Sequence, residues 1–227
     1  MKLVALTVLA AAHLNVFGAA SLSEVLPRFD RTARYQFGGS DQLAFQVREG
    51  APADLFLAAS PKYPQDLYEQ HRCSKPVTFA TNTVVLVVPR ANPARIRSVY
   101  DLRRDGIKLV VGAKGVPIGD YTRRLLANLG LTAVLSNVVS EEDDVKLVVA
   151  KVALGEADAA FVYRTDVEAV GNRVLRLAIP ASAQPTVAYR ACVPTASKQK
   201  PAARAYLRRL LGPTGRARLR DVGFGLP

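Results

Sequence analysis

Val16-Phe17-Gly18-Ala19-Ala20-Ser21-Leu22-Ser23-Glu24-Val25-Leu26 runs from an apolar strand through small residues directly into a helical pattern. Ser21 followed by Glu24 predicts a capping box at that helix start. Leu22, Val25, Leu26 and Phe29 recur behind it at helical spacing. Small residues let the backbone approach a guest closely, and a helix start offers unpaired N–H groups with a partial positive charge. The stretch therefore reads as half of an anion site whose other half lies elsewhere in the chain.

The same unit recurs along the chain: a short apolar strand, a turn of small or polar residues, then a helix. Tyr35–Phe37 leads through Gly38-Gly39 to Ser40, an N-cap candidate for a helix carrying Leu43 and Val47 and closed by Gly50. Asp54–Ala58 leads to Ser60-Pro61, with proline at the first helical position. Val84–Val88 is apolar on both faces, as expected of a central parallel strand, and it could begin a second sheet. Ser98 and Asp101 open a short helix, and Lys108–Val111 is a strand followed by a helix from Asp120 to Gly130. Val134–Val139 reads as a strand and Ser140 to Asp143 as the start of a helix bearing Val145, Val148, Val149 and Val152. Ala157–Val162 is a strand ending at Tyr163, and Thr165 with Glu168 forms a capping box. Strands Val174–Ile179 and Thr186–Val193 and helices Pro201–Leu211 and Thr214–Asp221 complete the pattern. Alternating strands and helices imply parallel sheet covered on both faces.

Ligands of open parallel sheets bind beyond the carboxyl ends of the strands. Ser21, Ser40, Ala59-Ser60, Ile118-Gly119, Asp144-Val145 and Tyr163 all fall there, a set of hydroxyls and backbone amides. Enzyme readings fare poorly. The two histidines, His13 and His71, are not placed to serve a serine, and no Gly-x-Ser-x-Gly elbow, phosphate loop or dinucleotide fingerprint occurs. Glu141 to Asp144 is an acidic run where a helix start favours negative charge anyway, so no direct metal ligands are expected.

The 227 residues carry a net charge of +12. The densest arginines (Arg204, Arg208, Arg209, Arg216, Arg218 and Arg220) lie on C-terminal helices with few aromatics between them, which reads as a solvated basic face and not as a nucleic-acid surface. Met1-Lys2 followed by apolar Leu3 to Ala12 reads as a short secretory signal over residues 1–12, the alternative being an unprocessed apolar strand.

Val16 to Leu22, Phe37-Gly-Gly-Ser-Asp-Gln-Leu-Ala44, Gly50-Ala-Pro-Ala-Asp-Leu-Phe56, Val116-Pro-Ile-Gly119, Gly155-Glu-Ala-Asp-Ala-Ala-Phe-Val-Tyr163 and Val222-Gly-Phe224 together resemble the molybdate-binding proteins of ABC importers. The resemblance runs in order from about residue 14 to residue 224. It implies an α/β fold of the type II periplasmic-binding-protein class, with two lobes joined by two crossing strands and the ligand in the cleft. Lobe 1 would comprise residues 13–80 and 192–227, and lobe 2 residues 81–191. By motif position, Ser21 and Ser40 would contact the ligand through hydroxyl and amide, Ala59, Ile118 and Val145 through their amides, and Tyr163 through its hydroxyl. The resemblance also implies a monomeric, non-enzymatic, periplasmic or extracellular protein without a cofactor, delivering molybdate or tungstate to an importer permease. Another oxyanion such as sulfate or phosphate, or a cytoplasmic oxyanion sensor, are the alternatives. Cys73 would then lie just before the first crossing strand and Cys192 on the returning one, and both a bond between them and two unpaired thiols are open.

Overall fold

The computed structural model describes residues 13–227; the expected signal, 1–12, lies outside the described residues. Strand β1 (Asn15–Ala19) is followed by a 3-10 turn over Ala20–Leu22, helix α1 (Leu26–Phe29), β2 (Arg34–Gly38), α2 (Ser40–Arg48), β3 (Leu55–Ala58), α3 (Lys62–Glu69) and β4 (Val77–Asn82). Then come β5 (Val84–Pro89), β6 (Leu109–Gly112), α4 (Pro117–Asn128), β7 (Val138–Glu142), α5 (Val145–Ala153), β8 (Ala159–Tyr163), α6 (Arg164–Val170) and β9 (Val174–Leu177). The chain ends with β10 (Val187–Cys192), α7 (Lys200–Leu211) and α8 (Pro213–Asp221).

These strands form two five-stranded sheets, ordered β2-β1-β3-β10-β4 and β7-β6-β8-β5-β9. In the first, β1 pairs in parallel with β2 and β3, while β10 runs antiparallel to β3 and β4. In the second, β6 pairs in parallel with β7 and β8, while β5 runs antiparallel to β8 and β9. The fourth strand of each sheet is thus reversed. The chain passes from the first sheet to the second at Thr83 and returns between Leu177 and Val187. The Gln184 side chain ties the two crossings together, accepting from Val84 N at 3.2 Å and donating to Val84 O at 2.8 Å.

Several local readings need correction. Val84–Val88 is interior and buried on both faces, but antiparallel to both neighbours; a continuous apolar run reports burial and not strand direction. The capping box at Ser21 does not form: Ser21 lies inside the 3-10 turn, and Glu24 pairs instead with Arg28 at 3.3 Å. With Pro27 at its second position, the helix shrinks to the single turn of α1. Ser40 is the first residue of α2 and not its cap, which is Gly39. Helix α4 starts at Pro117, three residues before Asp120, using proline where its missing N–H is harmless. Thr132–Asn137 is a 3-10 turn, and Ser140–Glu142 belongs to β7, so the cap of α5 is Asp144. Helix α6 starts after Tyr163, whose N–H donates to Asp166 Oδ2 at 3.2 Å, in place of a box at Thr165. Cys73 and Cys192 are bonded to each other. The six C-terminal arginines are exposed, as a solvated basic face requires. Among the described residues, no helix is long and apolar enough to cross a membrane.

Candidate functional site

The carboxyl ends of β1, β2, β3 and β8 and the starts of α2, α4 and α5 converge on one small cavity. Its free space is about 10 Å³, room for about one water-sized sphere, so the walls stand close together. All six expected positions line it: Ser21, Ser40, Ala59, Ile118, Val145 and Tyr163. Ala20, Gly39 and Asp144 also contribute walls.

Each donor is set by its local structure. Ser40 Oγ accepts the Ala59 N–H at 3.0 Å, so the amide expected to meet the ligand directly is engaged in orienting Ser40, and the serine keeps its own proton to donate. Asp144 caps α5 by accepting from Lys146 N at 2.7 Å and Leu147 N at 3.1 Å. The cap leaves the first amide of α5, that of Val145, as the one not engaged by the side chain. Ile118 holds the second position of α4, where the N–H has no partner within the helix. Its apolar side chain is buried, so the branched residue does not obstruct an amide contact. Ser21 Oγ lies 2.9 Å from the Tyr189 hydroxyl.

Tyr163 is the outlier. The residue is 1% exposed, and its hydroxyl finds no hydrogen-bond partner among the described residues. Burial, reinforced by the neighbouring Tyr189, Tyr121 and Asp166, holds its pKa well above the ordinary phenol value, so it remains an O–H donor. Its ring stands edge-on to Tyr121 and Tyr189, with centroids 6.4 and 5.8 Å away, which fixes its direction.

Among the described residues, no lysine, arginine or histidine lines the cavity. Outside this lining, Lys146 Nζ lies 3.5 Å from the buried Asp166 Oδ1. Burial raises the Asp166 carboxyl to about 6, against the pull of Lys146 and the Tyr163 amide. The walls meet closely at the rim. A Cβ on Gly39 would collide with the Asp143 carbonyl, and the Tyr63 hydroxyl donates to the Gly115 carbonyl. No group of three or more His, Cys, Asp or Glu residues that could hold a metal ion occurs among the described residues.

The profile of the family described as bacterial extracellular solute-binding protein matches residues 10–225. The chain belongs to that family. This solute-binding protein is 34% identical over 222 residues to a Mycobacterium tuberculosis relative named molybdate-binding protein ModA, covering 93% of the chain and 84% of the relative. It superposes on the substrate binding domain of a putative molybdenum ABC transporter from Clostridium difficile with a TM-score of 0.71 and 28% identity, over 95% of this chain and 99% of that one. It superposes on the periplasmic molybdate-binding protein of Azotobacter vinelandii with a TM-score of 0.85 and 21% identity, over 95% and 100%. The fold is accordingly that of the type II periplasmic binding proteins: two α/β lobes, two crossings and a cleft between.

The solute-binding protein also contains groups that the sequence reading missed. Tyr189 backs the cavity wall at Ser21 and is held by Asn82, which also holds Thr165; these two partners of Asn82 lie 107 and 83 residues from it in the chain. Nothing local marks them. Gly39 reads from the sequence only as part of a turn of small residues; its φ is −60°, and its smallness serves the approach of Asp143.

Proposed function

We propose that the protein captures molybdate or tungstate between its lobes outside the cytoplasm and delivers it to an ABC importer permease. The observation that carries this reading is the cavity itself, small and walled by amide and hydroxyl donors with no cationic side chain. A dianion taken out of water must be met by many donors, since each oxygen left unpaired is costly. Amides at the starts of α2, α4 and α5 and the hydroxyls of Ser21, Ser40 and Tyr163 supply such donors from a rigid frame. The names of the relatives favour molybdate among tetrahedral oxyanions. The net charge of +12 favours the approach of anions at long range.

In this reading the protein is a non-enzymatic monomer that uses no cofactor, with residues 1–12 as its export signal. Its lobes hinge at Thr83 and between Leu177 and Val187. This shifts the expected lobe boundaries so that Thr81–Asn82 and Val187–Ala191 join the first lobe. Selection is by size: a fixed cavity favours the oxyanion whose four oxygens reach all donors at once.

The test is a thermal-shift panel. Molybdate and tungstate at 100 dissociation constants stabilise the folded state by ~2.7 kcal/mol. With ~1 kcal/mol moving the melting point of a chain this size by ~2–4 °C, a rise of roughly 5–10 °C is expected, and little with sulfate or phosphate at equal ionic strength. Equal shifts with all four would overturn the selectivity, and no shift with any would overturn the assignment.

A further inference from the structure

Asn82 is the last residue of β4, beside the crossing at Thr83. Its Oδ1 accepts the Thr83 N–H at 2.9 Å, which fixes which end of the amide faces which way. Nδ2 is thereby turned toward the Tyr189 hydroxyl at 3.3 Å and Thr165 Oγ1 at 3.0 Å. An amide nitrogen donates and does not accept. The Tyr189 oxygen therefore accepts a hydrogen bond from Asn82, and its own buried O–H needs another acceptor. Tyr189 is fully buried, and its other partner is Ser21 Oγ at 2.9 Å. Ser21 thus accepts from Tyr189, and its own proton is left for the cavity it lines. Without the Asn82 donor, the Ser21–Tyr189 bond could run in either sense. In the reversed sense Ser21 turns a lone pair toward the guest.

We propose that Asn82 and Tyr189 are positioning residues, a relay that fixes the Ser21 hydroxyl as a donor into the cavity. The inference rests on the oxyanion reading given above. Ser40 is polarised the same way by a different device, the Ala59 amide. Both serines then offer protons, as an anion with no proton of its own requires. Because Asn82 also holds Thr165 of α6, the relay is anchored where the chain crosses between lobes, and the donor state of Ser21 depends on that junction.

The experiment is a double-mutant cycle on the full chain, reading the molybdate dissociation constant by titration calorimetry and folding by melting curves. Ser21→Ala is expected to weaken binding roughly ten-fold or more, and Tyr189→Phe or Asn82→Ala roughly three- to ten-fold. In the Ser21→Ala background, Tyr189→Phe and Asn82→Ala should have no further effect, a coupling that a general loosening of the core would not produce. Multiplying effects in the double variants, or wild-type affinity in both Tyr189→Phe and Asn82→Ala, would overturn the relay. Ser21→Ala without effect while Tyr163→Phe still weakens binding would overturn the relay and leave the oxyanion reading standing. A wild-type protein that binds none of the oxyanions would bring down both.

Discussion

Tyr163→Phe should change the ligand-free and ligand-bound protein in opposite directions. The hydroxyl is buried and unpartnered among the described residues, and a buried unsatisfied polar group costs ~1–3 kcal/mol. Phenylalanine removes that group and keeps the edge-on packing against Tyr121 and Tyr189. The ligand-free variant should therefore melt higher, by at least ~2–4 °C for the lower end of that range. In the complex the same change deletes a hydrogen bond to a charged partner, ~1.5–3 kcal/mol, or roughly ten- to 150-fold in affinity. At a molybdate concentration that is 100 dissociation constants for the wild type, a variant weakened 100-fold sits at one dissociation constant, and its stabilisation falls from ~2.7 to ~0.4 kcal/mol. The assay is a pair of melting curves for each protein, with and without molybdate, backed by calorimetric titration. A variant that binds as tightly as the wild type would refute the donor role. One that melts lower without ligand would refute the claim that the hydroxyl is a standing penalty.

Gly39→Ala should lower ligand-free melting as well as weaken binding, because the added Cβ runs into the Asp143 carbonyl and Asp41 Oδ1 even though φ there suits alanine. The added Cβ would meet the Asp143 carbonyl and hold the rim apart, so small-angle scattering with molybdate should give a larger radius of gyration than the wild type, with weaker binding. The Asp166 carboxyl, raised from 3.8 to about 6, keeps its proton in the folded state while the unfolded chain ionises. Its contribution to stability is therefore full below about pH 4 and falls by ~3 kcal/mol as pH rises through about 6. Denaturant curves should show this slope in the wild type and lose it in Asp166→Asn. Reducing the Cys73–Cys192 bond, which spans 119 residues, should destabilise the protein by ~5 kcal/mol from loop entropy, read as a lower denaturation midpoint under reductant. An unchanged midpoint would show that the loop is already constrained in the unfolded chain.

Where the sequence could be read, local chemistry matched burial. Leu55–Ala58 and Val84–Val88 are buried runs, and Ser98 with Asp101 opens the short helical turn expected there. The positions around the cavity were visible because they follow strand ends, a rule of topology that needs no long-range contact. Errors came where two local signals competed. Ser140 to Asp143 could charge a helix start or alternate along an edge strand, and β7 took the second course because its pairing with β6 continues to Glu142. Strand direction at β5 was beyond reach, since a run apolar on both faces looks the same either way. The Asn82–Tyr189–Ser21 chain was beyond reach for another reason: its links join residues 107 and 168 positions apart.

The disulfide sets an order of events as well as a stability. Cys73 precedes β4 and Cys192 ends β10, so the bond lies within the first lobe while every strand of the second sheet falls between its two cysteines. At ~5–20 residues per second of synthesis, the 119 positions that separate them take roughly 6–24 s to emerge. Throughout that interval the first lobe lacks an inner strand, β10, and carries an unpaired thiol. A newly made chain thus finishes the lobe it began with only after the second has appeared, and an oxidant that acts early can only join Cys73 to a different molecule.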